Sequence, residues 1–243
     1  MTGPSPEGGH VPGVHVPVPI LFETDDYLAV DKPEGVVSVA EAGRGGLPEL
    51  LKDHYAGKLF PVHRLDRGAS GVIVYAKNAA AHRALNGQFD RREVHKTYLA
   101  LVDGVPSSNR GQINAPIREF GSGRMGVDAK RGKPSSTEWK LAERLGDATL
   151  LRVSPLTGRR HQIRVHLYHI GHPILGDLRY GDKARQERVP RLMLHAISLE
   201  FALPSGELVT IEAPAPPSFE QVLAGLRKAR PGKAATKSEQ RTS

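Results

Sequence analysis

Within eight residues the chain carries a histidine, two arginines, an aspartate and a serine: His63-Arg64-Leu65-Asp66-Arg67-Gly68-Ala69-Ser70. An aspartate between two cations is expected to stay ionised, because nearby positive charge favours the carboxylate. An ionised carboxylate can act as a nucleophile or stabilise developing positive charge. Taken alone, the stretch also fits a polar turn closed by a surface Asp–Arg pair. A second dense segment, Thr157-Gly158-Arg159-Arg160-His161-Gln162-Ile163-Arg164, supplies more guanidinium groups. His161, His166, His169 and His172 suggest a metal site, since imidazole is a common zinc ligand. On one helix only His166 and His169 share a face, however, and no His-Glu-x-x-His pattern occurs. Cysteine is absent, which excludes disulfides, thiolate nucleophiles and cysteine-held metals.

Such groups need a frame. The 243 residues suffice for one domain with a sizeable core, and 39% hydrophobic with 25% charged residues is a globular balance. Short β-type runs dominate: Ile20–Glu23, Tyr27–Val30, Leu59–Val62, Gly71–Ala76, Thr97–Val102, Thr137–Glu143, Thr149–Ser154, Leu194–Leu203 and Val209–Glu212. Several alternate apolar and polar residues, as antiparallel strands with one wet face do. Helical spacing occurs at Leu47–Tyr55, Asn78–Arg91, Arg160–Ile170 and Ser218–Ala229. Thr157-Gly158 can open the third of these, whose Ile163, Leu167 and Ile170 would face the core and leave Arg164 at the stripe's edge. Strands outnumber helices and do not alternate with them, which predicts an α+β fold on a mostly antiparallel mixed sheet. Asp66 then falls in a loop between two apolar strands.

The charge is +8, and it is unevenly placed. From Arg227 onward, six basic residues stand against Glu239 alone. Residues 1–18 are rich in proline and glycine, predicting a flexible segment; 19–226 read as the domain, and 227–243 as a basic flexible tail. Residues 110–133 are basic and glycine-rich, and read in part as a mobile loop that closes over a polyanion. No run is long and apolar enough to span a membrane, and with no Lys or Arg before Lys32 a secretory signal is not expected. The chain is therefore expected to be cytoplasmic.

His63-Arg64-Leu65-Asp66, followed by Ser70-Gly71 and Ala76-Lys77, resembles the signature of the RluA family of pseudouridine synthases. Four further stretches resemble that family in its order: Lys32-Pro33-Glu34-Gly35, Lys96-Thr97-Tyr98, Pro155 through Leu167 continuing into Gly171-His172-Pro173-Ile174-Leu175-Gly176-Asp177, and Leu194-His195-Ala196 with Pro204. Together they cover about residues 20–215. Two positions depart from the usual pattern, Ala69 where threonine is common and Arg160 where threonine or serine is.

The resemblance implies a cofactor-free, metal-free isomerase that converts uridines of rRNA or tRNA to pseudouridine in a central RNA-binding cleft. It implies Asp66 as the nucleophile, Arg164 as its cationic partner, and Tyr98 packed against the target base, where it would assist removal of the C5 proton. It gives Leu194 to the wall of the uracil pocket and His63 and Arg64 to substrate binding, with Arg64 entering the RNA fold where the target nucleotide leaves it. RNA is the expected partner, with no DNA and no membrane, and the chain is expected to act as a monomer. The competing expectation is a catalytically silent RNA-binding protein of the same fold.

Overall fold

In the computed structural model, residues 17–39 and 45–229 are described; the expectations for 1–16 and 230–243 lie outside them. The strands are β1 (Ile20–Glu23), β2 (Tyr27–Lys32), β3 (Phe60–Pro61), β4 (Ser70–Ala76), β5 (His95–Asp103), β6 (Arg110–Asn114), β7 (Ile117–Glu119), β8 (Met125–Val127), β9 (Ser136–Leu145), β10 (Ala148–Pro155), β11 (Leu194–Ala202) and β12 (Leu208–Glu212). The helices are α1 (Leu47–Leu50), α2 (Ala79–Arg91), α3 (Gln162–His169), α4 (Lys183–Gln186) and α5 (Pro217–Lys228).

The main sheet runs β1-β2-β4-β11-β5-β10-β9-β6, with β12 beside β11 and β3 beside β4. Every pairing in it is antiparallel except β4 with β11, so the sheet is mixed and mostly antiparallel, as expected. Strand alternation divides the core in two. Leu28, Val30, Ile73 and Tyr75 belong to one apolar cluster; Tyr27, Ala29, Val72, Val74 and Ala76 belong to the other. Because β2 and β4 are covered on both sides, they read as continuous apolar runs. α2 packs Ala81 and Leu85 on the second cluster. α1, α3 and α5 close the first with Leu47, Ile163, Leu167, Phe219 and Leu223. Asn78 caps α2 by accepting from the Ala81 amide at 2.9 Å, an interaction of about 1 kcal/mol.

The parallel β4–β11 contact depends on a glycine. Gly71 has φ +111°, and a Cβ there would overlap the Ala196 carbonyl. This brings β11, and with it Leu194, up to the loop that carries Asp66.

Three expectations are corrected. Residues 110–133, read in part as a mobile loop, are largely tied into strands: β6 joins the sheet beside β9, and β7 and β8 form a hairpin. Arg118 pairs with Asp128 across it at 2.6 Å, and Asp128 accepts from the Lys130 and Arg131 amides. α1 makes one turn rather than reaching Tyr55, because after the buried Leu47 and Leu51 residues 52–54 are exposed and offer no apolar face. α3 starts at Gln162 rather than Arg160, because His161 adopts a left-handed backbone at φ 55°. At the other end, Arg227 and Lys228 lie on α5, where Arg227 pairs with Glu143 at 2.7 Å.

Candidate active site

The loop between β3 and β4 closes with the Ala69 amide donating to the Asp66 carbonyl at 3.0 Å. It is stitched to the segment after β2. Ser38 Oγ donates to the Leu65 carbonyl and accepts from the Leu65 amide, both at 3.0 Å. The Gly35 amide donates to the Arg67 carbonyl at 2.8 Å, and Arg67 Nε returns a bond to the Gly35 carbonyl at 2.9 Å. Lys32 is wholly buried and its ammonium donates to the carbonyls of Pro33, Val36 and Arg67. Burial, then the charge of Arg191, pulls Lys32 down to about 7 against the carboxylates of Asp66, Glu34 and Asp31. These bonds fix the backbone on both sides of Asp66, while Leu65 anchors the turn in the core.

The cations beside Asp66 in sequence are not its partners. Arg67 turns to Gly35, and Arg64 is exposed on the cleft wall. The partner is Arg164, whose Nη1 donates to Asp66 Oδ2 at 3.1 Å. Arg164 lies on α3 between the buried Ile163 and Val165, and its fork is held by a second carboxylate. Nε and Nη2 donate to Asp177 at 2.7 and 2.8 Å, a bidentate pair that leaves Nη1 for Asp66. Burial works against the Arg164 charge, but the bonds and charges of Asp177 and Asp66 prevail and push its pKa up. Asp177 is itself fixed by the Arg179 and Tyr180 amides. The Tyr180 ring lies under the guanidinium, 5.0 Å from it. Gly176, at φ +75°, permits this turn; a Cβ there would overlap the Arg191 carbonyl.

Asp66 opens onto a cleft of about 640 Å³. Its wall includes His63, Arg64, Tyr98, Leu194, Ile163 and the segment 157–162. Tyr98, on β5, is 8% exposed, and its hydroxyl has no hydrogen-bond partner among the described residues. Burial, and then the Asp66 charge, raise its pKa, so the group is a neutral phenol. Leu194 opens β11 and is buried. His63 reaches the wall, but its Nε2 accepts from the Val74 amide at 3.1 Å and its ring stacks on Phe89. Burial, helped by the charge of Lys96, drives His63 down to about 3, so it stays neutral. Arg92, Lys96, Arg159 and Arg160 add positive charge around the cleft, against Asp66 and Asp90.

Residue type and spacing alone single out neither Asp177 nor Tyr180. Asp177 stands in the quoted run Leu175-Gly176-Asp177, and only the turns at Gly171 and Gly176 return it to Arg164; its sole sequence signal was membership of that run. Of the two departures, Ala69 is buried in the core and Arg160 pairs with Glu119 at 3.0 Å. The histidines considered as metal ligands are dispersed. His166 bonds to Thr137 Oγ1 and the Ala115 carbonyl, His172 to the Asp103 carbonyl, and His161 to Tyr180. Among the described residues no group of three or more potential ligands comes together. No helix among them is long and apolar enough to cross a membrane.

Residues 26–169 match the sequence profile of the family described as RNA pseudouridylate synthase. The chain is 41% identical over 227 residues to the Ribosomal large subunit pseudouridine synthase C of Escherichia coli (strain K12), covering 87% of this chain and 70% of that one. It is also 41% identical over 221 residues to the protein of the same name from Pasteurella multocida (strain Pm70), covering 86% and 68% respectively. Among solved structures, Human RNA Pseudouridylate Synthase Domain Containing 1 superposes with a TM-score of 0.74 at 32% identity, over 90% of this chain and 98% of that one. Human RNA Pseudouridylate Synthase Domain Containing 4 does so with a TM-score of 0.73 at 27% identity, over 86% and 93%.

Proposed function

From the premise that this chain belongs to the RluA-type RNA pseudouridine synthases and isomerises uridine in RNA, we propose that Asp66 is its nucleophile and ribosomal RNA its substrate. The observation that carries the first part is the contact of Asp66 Oδ2 with Arg164 Nη1 at 3.1 Å, in a cleft that a nucleoside can enter. Pseudouridine formation breaks the N1–C1′ bond, turns the uracil, and joins C5 to C1′; N1 gains a proton and C5 gives one up. A carboxylate divides that displacement into steps with lower barriers. Arg164 keeps Asp66 oriented and offsets its charge in a partly dry site, and Asp177 keeps Arg164 oriented.

Tyr98 takes the role of a wall against the uracil ring. As a neutral phenol it offers a hydrogen-bond donor and an apolar face rather than a base. Leu194, on the neighbouring strand β11 and the same face of the sheet, extends that apolar surface beside Tyr98. Arg64, exposed at the rim, is placed to fill the gap left when the target nucleotide leaves its stack, which offsets a stacking loss of a few kcal/mol. His63, part of the wall, shapes the loop through its bond to Val74 and its stack on Phe89. The cations around the cleft serve the phosphates, so affinity should fall by about tenfold or more between ~50 and ~200 mM salt.

The ribosomal assignment is supported by the two bacterial relatives at 41% identity whose names specify the large subunit. Pseudouridine mapping in large-subunit rRNA and in tRNA, with and without this gene, tests it. Loss of one or more sites from large-subunit rRNA is expected; loss confined to tRNA would overturn it.

A further inference from the structure

His161 is the residue that opens α3, three positions before Arg164, and like Arg164 it lies beside the Asp66 carboxylate; with the metal reading excluded, the pairing of Asp66 with Arg164 gives it no role. Its backbone lies in the left-handed region at φ 55°, which non-glycine residues seldom adopt. That conformation turns the ring back over the cleft, where its side chain is 12% exposed.

Its tautomer follows from its neighbours. The Met125 amide can only donate, and it donates to Tyr180 Oη at 3.2 Å. Tyr180 is buried, and among the described residues the one acceptor its hydroxyl reaches is His161 Nδ1, at 2.9 Å. With Nδ1 accepting, the proton of the neutral ring sits on Nε2. That nitrogen faces Asp66 Oδ1 at 3.9 Å, too far for a direct hydrogen bond. Oδ2 is already taken by Arg164. A donor and an acceptor thus face each other across a gap that one oxygen can bridge, provided it accepts from the imidazole and donates to the carboxylate. Burial lowers His161 to about 4; the charge of Asp66 opposes this and those of Arg164, Arg160 and Arg179 add to it, so the ring is neutral near pH 7.

A hydroxyl meets both demands. In a nucleotide inside an RNA chain the 3′ and 5′ oxygens are esterified, so the 2′-hydroxyl is the only free ribose hydroxyl. It is also attached to the carbon next to C1′, where the reaction occurs. We propose that His161 and Asp66 Oδ1 together bind the ribose 2′-hydroxyl of the target uridine, His161 donating and Asp66 accepting, so that the site selects ribose over deoxyribose at that nucleotide. This rests on Asp66 being the reacting carboxylate. It makes His161 a catalytic residue that touches substrate and sets its specificity.

The test compares one RNA oligonucleotide carrying the mapped target uridine with the same oligonucleotide bearing a single 2′-deoxyuridine there. The native enzyme is expected to lose about 10–100-fold in kcat/KM on the deoxy target. His161→Phe is expected to lose about as much on the ribose target, and then to distinguish the two by less than about threefold, because both changes remove the same bond. His161→Gln, whose amide keeps a donor, should regain part of the discrimination, and it carries the test should the Phe variant not fold. If discrimination in the folded variants equals that of the native enzyme, His161 does not contact the 2′-hydroxyl and the proposal fails. Asp66→Asn is run alongside. Turnover by that variant would overturn the reading of Asp66 itself, whereas an inactive Asp66→Asn with unchanged discrimination at residue 161 would overturn only this inference.

Discussion

Arg164 and Arg191 are both nearly buried guanidiniums whose donors converge on carboxylate and hydroxyl oxygens. Arg191 donates to Glu34 and Ser218 through Nη1, to Ser70 through Nη2 and to the Leu192 carbonyl through Nε. Around it the bonds close on themselves. Ser218 Oγ donates to Glu34 at 2.8 Å, Ser70 bonds His195 Nδ1 at 2.9 Å, and His195 Nε2 reaches the Ala213 carbonyl at 3.1 Å. Arg164 is as fully engaged, but one of its partners is left open: Asp66 Oδ1 accepts no hydrogen bond among the described residues and faces the cleft. A closed polar network fixes a fold, and one with a single exposed, unmatched acceptor has chemistry left to do.

If that contrast is right, damage to the two networks should register on different instruments. Between the two arginines and their partners' anchors, the largest effect is expected at Arg164. Arg164→Met alone leaves Asp177 buried without its cation, so lost stability and lost catalysis are mixed. The double variant Arg164→Met/Asp177→Asn removes both charges and keeps an acceptor for the Arg179 and Tyr180 amides. It should recover melting temperature relative to the single variant, yet remain roughly 10²–10³-fold slower than the native enzyme. Recovery of rate along with stability would break the comparison.

Arg191→Met is next, and should act in the opposite sense. It strands Glu34 and Ser70, and should cost about 3 kcal/mol in a denaturant titration, while the folded fraction keeps a rate within about tenfold of native. Asp177→Asn alone should lower kcat by about 10–30-fold with little change in KM, since Arg164 would keep its charge but lose its bidentate anchor. A change confined to KM would assign Asp177 to RNA binding instead.

The smallest effect concerns His63, which is tied to the frame. Its folded pKa of about 3 lies below the unfolded value of about 6.5, so the unfolded ring takes up a proton first as pH falls. Stability from this group is therefore complete above pH ~6.5 and is lost as pH falls toward 3. Between pH 7 and 5.5 it amounts to about 1 kcal/mol. Melting curves of the native protein and His63→Gln over that range should converge by this amount; parallel curves would show that His63 is not held neutral.

Much of the frame was legible because its signals are local. The apolar runs that became β2, β4, β5 and β10 stand out individually, and Asn78 marks the start of α2. The segment from Arg110 to Lys133 was not legible, because β6 gains its partner from β9 and the β7–β8 hairpin is held by a side-chain pair across it. The reach of Arg164 toward a neighbouring surface could be read from the edge of an apolar stripe. The identity of Asp66's partner could not be read from adjacency, which pointed to Arg64 and Arg67; it came only with the resemblance. His161 was hidden for another reason: a left-handed backbone angle at a histidine leaves no trace in residue spacing.

The central claim is that the Asp66 carboxylate carries the reaction. Asp66→Asn keeps size and shape, so it is best measured in a single turnover, with enzyme in excess over a large-subunit rRNA segment containing the mapped uridine. The account predicts no pseudouridine above the enzyme-free background, with RNA affinity within about threefold of native. Conversion at a rate within about tenfold of the native enzyme would contradict it.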